Sequence, residues 1–387
     1  MTILIPPLWS DQNNMKFLLI YVPNLRFTNN QLKDFKIVDI CKLKQGNQYD
    51  LKQQFTEEKP DLKRFIRIVD YTQKTNDIRY VYSNGSENYV DCTDVVVVRY
   101  GASAGYVGRG INGIIANNLF TIRPINSALL NKSYLYHYLN APVIQKQLNN
   151  TQSSGMPALN FQTINNLHIL LPEYQEQRQI AVFLDKIDER IQTQIKIIDD
   201  YNSLKMGIYN CMFKENYADY KLKQLAYIVK GDQINNDQLL SNGSYYMMNG
   251  GTSPSGYIDS YNVSENTISI SEGGNSCGYV QFNSCPFWSG GHCYTIQNVN
   301  SALIENKYLY HYLKYKEKEI MNLRIGTGLP NIQKKDLENF TILVPSLLIQ
   351  RKNLALFEML DEKISILNEE LANLQKQKKY LLCNMFI

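Results

Sequence analysis

The stretch Asn126-Ser-Ala-Leu129, followed by Tyr134-Leu-Tyr-His-Tyr-Leu139, returns as Asn300-Ser-Ala-Leu303 and Tyr308-Leu-Tyr-His-Tyr-Leu313, an offset of 174 residues. Further along, Gly155-Met-Pro157 through Ile169-Leu-Leu-Pro172 matches Gly328-Leu-Pro330 through Ile342-Leu-Val-Pro345 at an offset of 173, and Gln177-Arg178 and Asp188-Glu-Arg-Ile191 match Gln350-Arg351 and Asp361-Glu-Lys-Ile364 in the same register. Towards the front, Asp34-Phe-Lys36 to Gly46 resembles Asp219-Tyr-Lys221 to Gly231, now offset by 185, so the copies differ by about a dozen residues before the shared Asn-Ser-Ala-Leu stretch. Solenoid repeats run 20 to 50 residues, and a period this long instead implies two copies of a whole domain-plus-helix module. Between the shared edges, roughly 47–125 and 232–299, almost nothing aligns.

Each copy ends in a helical pattern. Ile180, Leu184, Ile187, Ile191, Ile198 and Tyr201 fall at the alternating steps of four and three that a coiled-coil seam requires, with Gln194 as a polar interruption. Phe357, Leu360, Ile364, Leu367, Leu371, Leu374 and Leu381 repeat the pattern, broken at Lys378. A solitary helix cannot bury such a stripe, so the two helices are expected to pair, within the chain or with another subunit. Antiparallel pairing within one chain would place the domains at opposite ends of a rod of roughly 60 Å.

The 387 residues, 44% hydrophobic and 20% charged with a mean hydropathy of −0.33, describe a soluble folded chain long enough for two cores. No apolar run reaches bilayer length. Phe17 to Val22 stops at Pro23 without a small-residue cleavage site, so we read no export signal and expect a cytoplasmic protein. Seven cysteines without a CxxC pair fit reduced thiols. A net charge of +4 permits an anionic partner without demanding one. Twenty-eight tyrosines suit strands and wet recognition surfaces, and equally a tyrosine-rich core.

The divergent interiors read as strands and glycine turns. Asp94-Val-Val-Val-Val-Arg99 runs into Tyr100-Gly-Ala-Ser-Ala-Gly105-Tyr106-Val107-Gly108, and Thr267-Ile-Ser-Ile-Ser271 into Glu272-Gly-Gly-Asn-Ser-Cys-Gly278-Tyr279-Val280. Both are strand, glycine loop, Gly-Tyr-Val. Phe287-Trp288 to Tyr294 reads as an aromatic, glycine-hinged loop, or as a core turn.

Chemistry is sparse. Walker A, GxSxG and HExxH motifs are missing, as are a methyltransferase cofactor loop and its Asn/Asp-Pro-Pro-aromatic motif; Ile5-Pro6-Pro7-Leu8 has only the diproline. His137 and His311 recur at equivalent places on a tyrosine-rich helix, which argues for packing. Cys277, Cys285, His292 and Cys293 cluster but lack a paired-ligand knuckle, so no metal and no cofactor are expected.

Leu171-Pro172-Glu-Tyr-Gln-Glu176-Gln177-Arg-Gln-Ile180-Ala181-Val-Phe-Leu184-Asp-Lys-Ile187-Asp188-Glu-Arg-Ile191 resembles the LPxxxEQxxIAxxLxxxDxxI segment of type I restriction-modification specificity subunits. Pro23-Asn-Leu-Arg-Phe27 also resembles that family's opening segment. In the second copy Ile349 replaces the glutamate before Gln350, and Asn353 stands at the position of Ile180.

The resemblance implies an α+β protein with two similar α/β target-recognition domains separated by two long helices in an antiparallel coiled coil. The expected order is an N-terminal arm at 1–30, recognition domains at 31–172 and 218–345, and spacer helices at 173–217 and 346–387. It implies a non-catalytic subunit that reads a bipartite site in double-stranded DNA and docks methyltransferase (modification) and restriction (translocase-nuclease) subunits. Arg99, Tyr100, Ser103, Tyr106 and Arg109 would be the DNA-contacting residues of the first domain, and Asn275, Tyr279, Trp288 and His292 those of the second. Glu176, Gln177, Ile180, Leu184, Ile187 and Ile191, with Gln350, Phe357, Leu360, Ile364, Leu367 and Leu371, would form the coiled coil and dock the partners.

Two rivals stand beside this reading. A coiled-coil adaptor that never touches nucleic acid would explain the helices, but not why two domains share edges and diverge inside. A self-contained nuclease or methyltransferase lacks its motifs.

Overall fold

A computed structural model describes residues 3–5, 18–20, 32–73, 75–85, 87–149, 157–213, 217–326, 328 and 330–386. The Pro23–Phe27 segment and most of the expected N-terminal arm lie outside these residues; of the arm, Ile3–Ile5 and Leu18–Ile20 form an antiparallel pair. The chain divides into two compact units, Met1–Ile195 with Glu369–Ile387, and Lys196–Asn368. The division falls inside the two long helices, Tyr174–Met212 and Leu347–Met385, instead of at their ends.

In the first unit a four-stranded antiparallel sheet runs in the order Cys41–Gln45, Leu119–Pro124, Val95–Val98, Val107–Gly108. All four valines of Val95–Val98 are buried, because both faces of this sheet are covered. Val95 and Val97 face a core containing Tyr134, Leu135, Tyr138, Ile180 and Leu184. Val96 and Val98 face Ile66, Val90 and Ile115, all three on a second sheet. That sheet is ordered Arg79–Tyr82, Leu62–Ile66, Gly113–Ile115, Tyr89–Val90.

The second unit repeats the framework sheet as Tyr227–Lys230, Cys293–Gln297, Thr267–Ser271, Val280–Asn283. Ile268 and Ile270 face the helices as Val95 and Val97 do. The opposite face differs: Thr267, Ser269 and Ser271 stand where the first unit has Asp94, Val96 and Val98, and Asn283 Nδ2 donates to Ser269 Oγ at 2.9 Å. The second sheet here has three strands, Gly256–Ile258, Tyr245–Met248 and Trp288–Ser289. The divergence seen in sequence is therefore concentrated on one side of a shared sheet.

Within each unit the helical segments run antiparallel. In the first, Asp188 pairs with Lys378 and Gln194 Nε2 donates to Glu370 at 3.0 Å. In the second, Lys205 pairs with Asp361, and Tyr209 packs on Phe357 with ring centroids 4.8 Å apart. The helix ends close both cores alike: Phe386 lies edge-on to Tyr134 at 5.3 Å, and Phe213 lies edge-on to Tyr308 at 5.5 Å. Among the described residues no helix is long and apolar enough to cross a membrane.

Candidate nucleic-acid interface

The glycine loops that follow the central strands share a backbone bond for bond. Gly101 N–H donates to Pro157 O at 2.9 Å and Gly105 N–H to Val98 O at 2.9 Å; Gly274 N–H donates to Pro330 O at 3.0 Å and Gly278 N–H to Ser271 O at 2.8 Å. Tyr106 and Tyr279 close their turns on Ser103 O and Ser276 O, and Arg99 and Glu272 both donate across the sheet, to Asn118 O and His292 O. Gly105 and Gly278 adopt φ of +90° and +89°, and a Cβ on Gly278 would stand 2.8 Å from Met321 Cα, so only glycine fits there.

On this common backbone the side chains differ. Arg99 lies over Tyr100 and Phe161, at 4.8 and 4.3 Å from their ring centroids, and donates to Gln45 Oε1 at 2.8 Å. Its equivalent is buried Glu272, which accepts from Lys230 Nζ at 2.7 Å, Lys230 being the counterpart of Gln45. Ser103 is half-buried and Tyr106 exposed on the first loop; Asn275 is exposed on the second. Tyr279 lies under Lys314, whose ammonium is 4.1 Å from the ring centroid. His292 is exposed, with Nδ1 3.7 Å from Glu272 Oε2.

Two expectations about this region change. Arg109 does not belong with the loop's surface residues: its guanidinium donates to Asp185 at 2.5 Å and Ser133 at 2.9 Å and stacks 3.9 Å from the Tyr136 centroid. It ties the sheet to the long helix. Burial opposes ionisation of Asp185, but hydrogen bonds from His137 and Arg109 hold its carboxyl at about 2. The Phe287–Tyr294 stretch is not a free loop. Phe287 is buried and stacked on Tyr246, Trp288–Ser289 is a strand of the second sheet, and Trp288 Nε1 donates to Asp232 O at 3.1 Å.

Two hollows on the divergent side carry no motif in the sequence. In the first unit a cavity of about 670 Å³ is lined by Glu58, Lys59, Pro60, Leu62, Lys63, Arg64, Tyr80, Tyr89 and Asn112. In the second a cavity of about 370 Å³ is lined by Asn262, Ser264, Asn266, Gln297, Asn298 and Asn306. The cations of Asp61-Leu-Lys-Arg-Phe-Ile-Arg67 were a signal for the first.

The helix residues expected to dock partners are mostly engaged inside their own units. Gln177 is 1% exposed; its amide donates to Leu129 O and Pro172 O at 3.0 Å and accepts from Asn131 N–H at 3.0 Å. Gln350, fully buried, makes the same three bonds with Leu303 O, Pro345 O and Glu305 N–H. Both are brackets between helix and domain. Ile180 and Leu184 belong to the first core and Phe357 to the second, so they present nothing to a partner. Ile191, Leu360 and Leu367 are buried, while Ile187, Ile364 and Leu371 are half-buried. Glu176 is half-buried, and burial together with the Glu173 carboxylate raises its pKa. The helices expose other apolar residues, among them Val182 in the first unit, and Leu348, Met359 and Ile366 in the second. Intervals of eleven and seven put the last three on one face.

Among the described residues no group of three or more His, Cys, Asp or Glu is arranged to hold a metal ion. Cys277 and Cys293 are buried separately, and Cys285 is exposed.

The family model for the type I restriction modification DNA specificity domain matches residues 29–199 and 214–376. A chain named as a type I specificity subunit in Mycoplasma pneumoniae is 34% identical over 155 residues, which is 40% of this chain and 41% of that one. The match thus spans about two fifths of that relative's length. The specificity subunit of the MjaVIII type I restriction enzyme of Methanocaldococcus jannaschii is 23% identical over 352 residues, covering 79% of this chain and 80% of that one. In fold, the chain is similar to the crystal structure of a type I restriction-modification S subunit from M. genitalium, with a TM-score of 0.63, 19% identity and 99% of both chains covered.

Proposed function

The chain belongs to the type I restriction-modification DNA specificity family, and from that premise we propose that its two units each read one half of a bipartite duplex target without catalysing any step. The observation that carries this reading is the pair of glycine loops: one backbone, held by matching hydrogen bonds, delivers Arg99, Tyr100 and Ala102 in one unit and Glu272, Gly273 and Asn275 in the other. A shared mount with unlike side chains suits two readers of unlike sequences, because base identity is read by side-chain donors and acceptors at groove edges. Tyr106, Ser103, Trp288 and His292 complete the proposed reading sets. Lys59 and Lys63 supply phosphate contacts, which position the protein on the duplex.

Methyltransferase subunits dock, in this reading, on the exposed apolar residues of the helices, Val182 in the first unit and Leu348, Met359 and Ile366 in the second, with the seam left to internal packing. Restriction subunits join the assembly that results. The complex with its methyltransferase should shift duplex DNA in a salt-dependent way, and modified-base mapping of the host genome should show one bipartite motif that disappears with the gene. A complex that assembles, leaves DNA unshifted and changes no methylated motif is the outcome an adaptor predicts.

A further inference from the structure

The two units differ in charge far more than in fold. From Gly231 to Asn306 the second unit contains six Asp and Glu and no Lys or Arg; the corresponding stretch of the first, Gly46 to Lys132, contains eleven Lys and Arg against nine acids. Most cations of the first unit's stretch are paired, Arg64 and Arg67 with Asp70, Arg79 with Asp77, Arg109 with Asp185, and Arg123 and Lys132 with Asp94. Exposed Lys59 and Lys63, in contrast, form no side-chain hydrogen bond or ion pair among the described residues. The cations that border the second unit's stretch are paired as well. Lys230 is held by Glu272 at 2.7 Å, Lys307 by Glu358 at 2.5 Å, and Lys314 by Glu317 at 2.5 Å and Val280 O at 3.0 Å. Arg324 is the exception near the reading loop. It is exposed, makes no side-chain hydrogen bond or ion pair among the described residues, and lies beside Ile325, which bridges to Asn331 next to the Pro330 carbonyl that holds Gly274.

The hollows repeat the contrast: Lys59, Lys63, Arg64 and Glu58 line one, with Arg64 3.5 Å from Asp70, and five asparagine and glutamine side chains line the other. Eleven asparagines fall within Gly231–Asn306. Amides hydrogen-bond to base edges but release no counterions from phosphates, so they add affinity that salt does not erode.

Resting on the reading that both units bind duplex DNA, we propose that the ionic part of DNA binding is carried by the first unit, and that the second holds its half-site through neutral amide, hydroxyl and aromatic groups, with Arg324 as its principal phosphate anchor. Two consequences follow for the salt dependence of the full complex. Replacing Lys59 and Lys63 by Gln should flatten the plot of log Kobs against log salt by about 1.8, and Arg324→Gln by about 0.9. Truncating the duplex inside its spacer to remove the second unit's half-site should reduce the slope by only about 0.9, the single Arg324 contact, whereas removing the first unit's half-site should reduce it by about 1.8, the two contacts of Lys59 and Lys63.

The test uses the chain bound to its methyltransferase, titrated in a KCl series on a duplex carrying the motif mapped from the host genome and on its two truncations. Each half is assigned to its unit beforehand by domain exchange. All the substituted residues lie on the surface of their units, and circular dichroism checks that the variants fold. Equal loss of slope on the two truncations, or a larger loss when the second unit's half is removed, overturns the charge asymmetry while leaving DNA reading intact. Failure to bind the intact duplex at any salt instead rejects the reading on which it rests.

Discussion

In the first unit Arg123 donates to Asp94 Oδ2 at 3.1 and 2.8 Å, and Lys132 donates to Asp94 Oδ1 at 2.7 Å and to Asp91 at 3.2 Å; the matching positions of the second unit are Gln297, Thr267 and Asn306. There Thr267 Oγ1 donates to Ser264 O at 2.9 Å, and Asn306 Nδ2 to Asn266 O at 2.6 Å. The same strand ends and helix start are thus secured once by ions and once by amides and hydroxyls. The fold requires that these polar groups find partners, not that they be charged. Charge is free to vary between the units, and it varies together over the whole divergent face.

The strongest way to break this comparison is to remove one ion. Arg123→Ala leaves Asp94, 4% exposed, with Lys132 as its remaining cation and strips a donor from Asn88, so it should destabilise the first unit by about 3 kcal/mol. Gln297→Ala in the second unit should cost less than about 1 kcal/mol. Hydrogen exchange resolved by peptide would read each unit separately, and equal costs would mean that the two corners are not alternative solutions to one problem.

Acidification separates the units next. His311 is buried, and desolvation with the nearby Lys205 and Lys307 ammonium groups lowers its pKa to about 3, although Asp361 stands 3.9 Å away. His137 is also lowered by burial, but Asp185 at 2.7 Å opposes the shift. With the folded pKa below the unfolded value, the unfolded state binds the extra proton. Stability is therefore complete above pH 6.5 and falls as pH drops towards 3, by about 1.4 kcal/mol per pH unit. Between pH 7 and pH 5 the second unit should lose about 2 kcal/mol, and the first unit less. His311→Gln should flatten the second unit's profile; an unchanged profile would remove His311 from the account.

Where the units are alike, substitutions should cost the same. Gln177→Ala and Gln350→Ala each abolish three buried hydrogen bonds and should destabilise their own unit by about 2 kcal/mol, measurable by the same exchange experiment. A large difference between them would show that the brackets are not equivalent. Smallest in stability are Val182→Asp and Met359→Asp, within about 0.5 kcal/mol on exposed helix faces. These should nevertheless reduce co-purification with the methyltransferase.

Much of this was legible because repetition reveals itself without a structure. The tyrosine-rich helices, the shared Gly-Tyr-Val turns and the heptad stripes were all visible as sequence returning in register. Less visible was what each buried face touches. The valines of Val95–Val98 read as one buried strand, yet their alternate partition between the helix-side and sheet-side cores needed the topology. Gln177 lies in a motif that resembles a docking segment, and nothing local shows that its amide is satisfied by Leu129, Pro172 and Asn131. Arg109 sits in a glycine-rich stretch, while its partner Asp185 is 76 positions away. Polar side chains that meet across such distances leave no periodic trace. The coiled-coil pattern likewise identified the buried stripe and drew attention away from Leu348, Met359 and Ile366, which lie off it.

Exchanging residues 218–345 for the corresponding segment of a relative with a different target, and then mapping methylated bases in the host, tests the two-reader account most directly. One half of the motif should change to the relative's and the other half should be retained base for base. A change in both halves, or in neither, would contradict it.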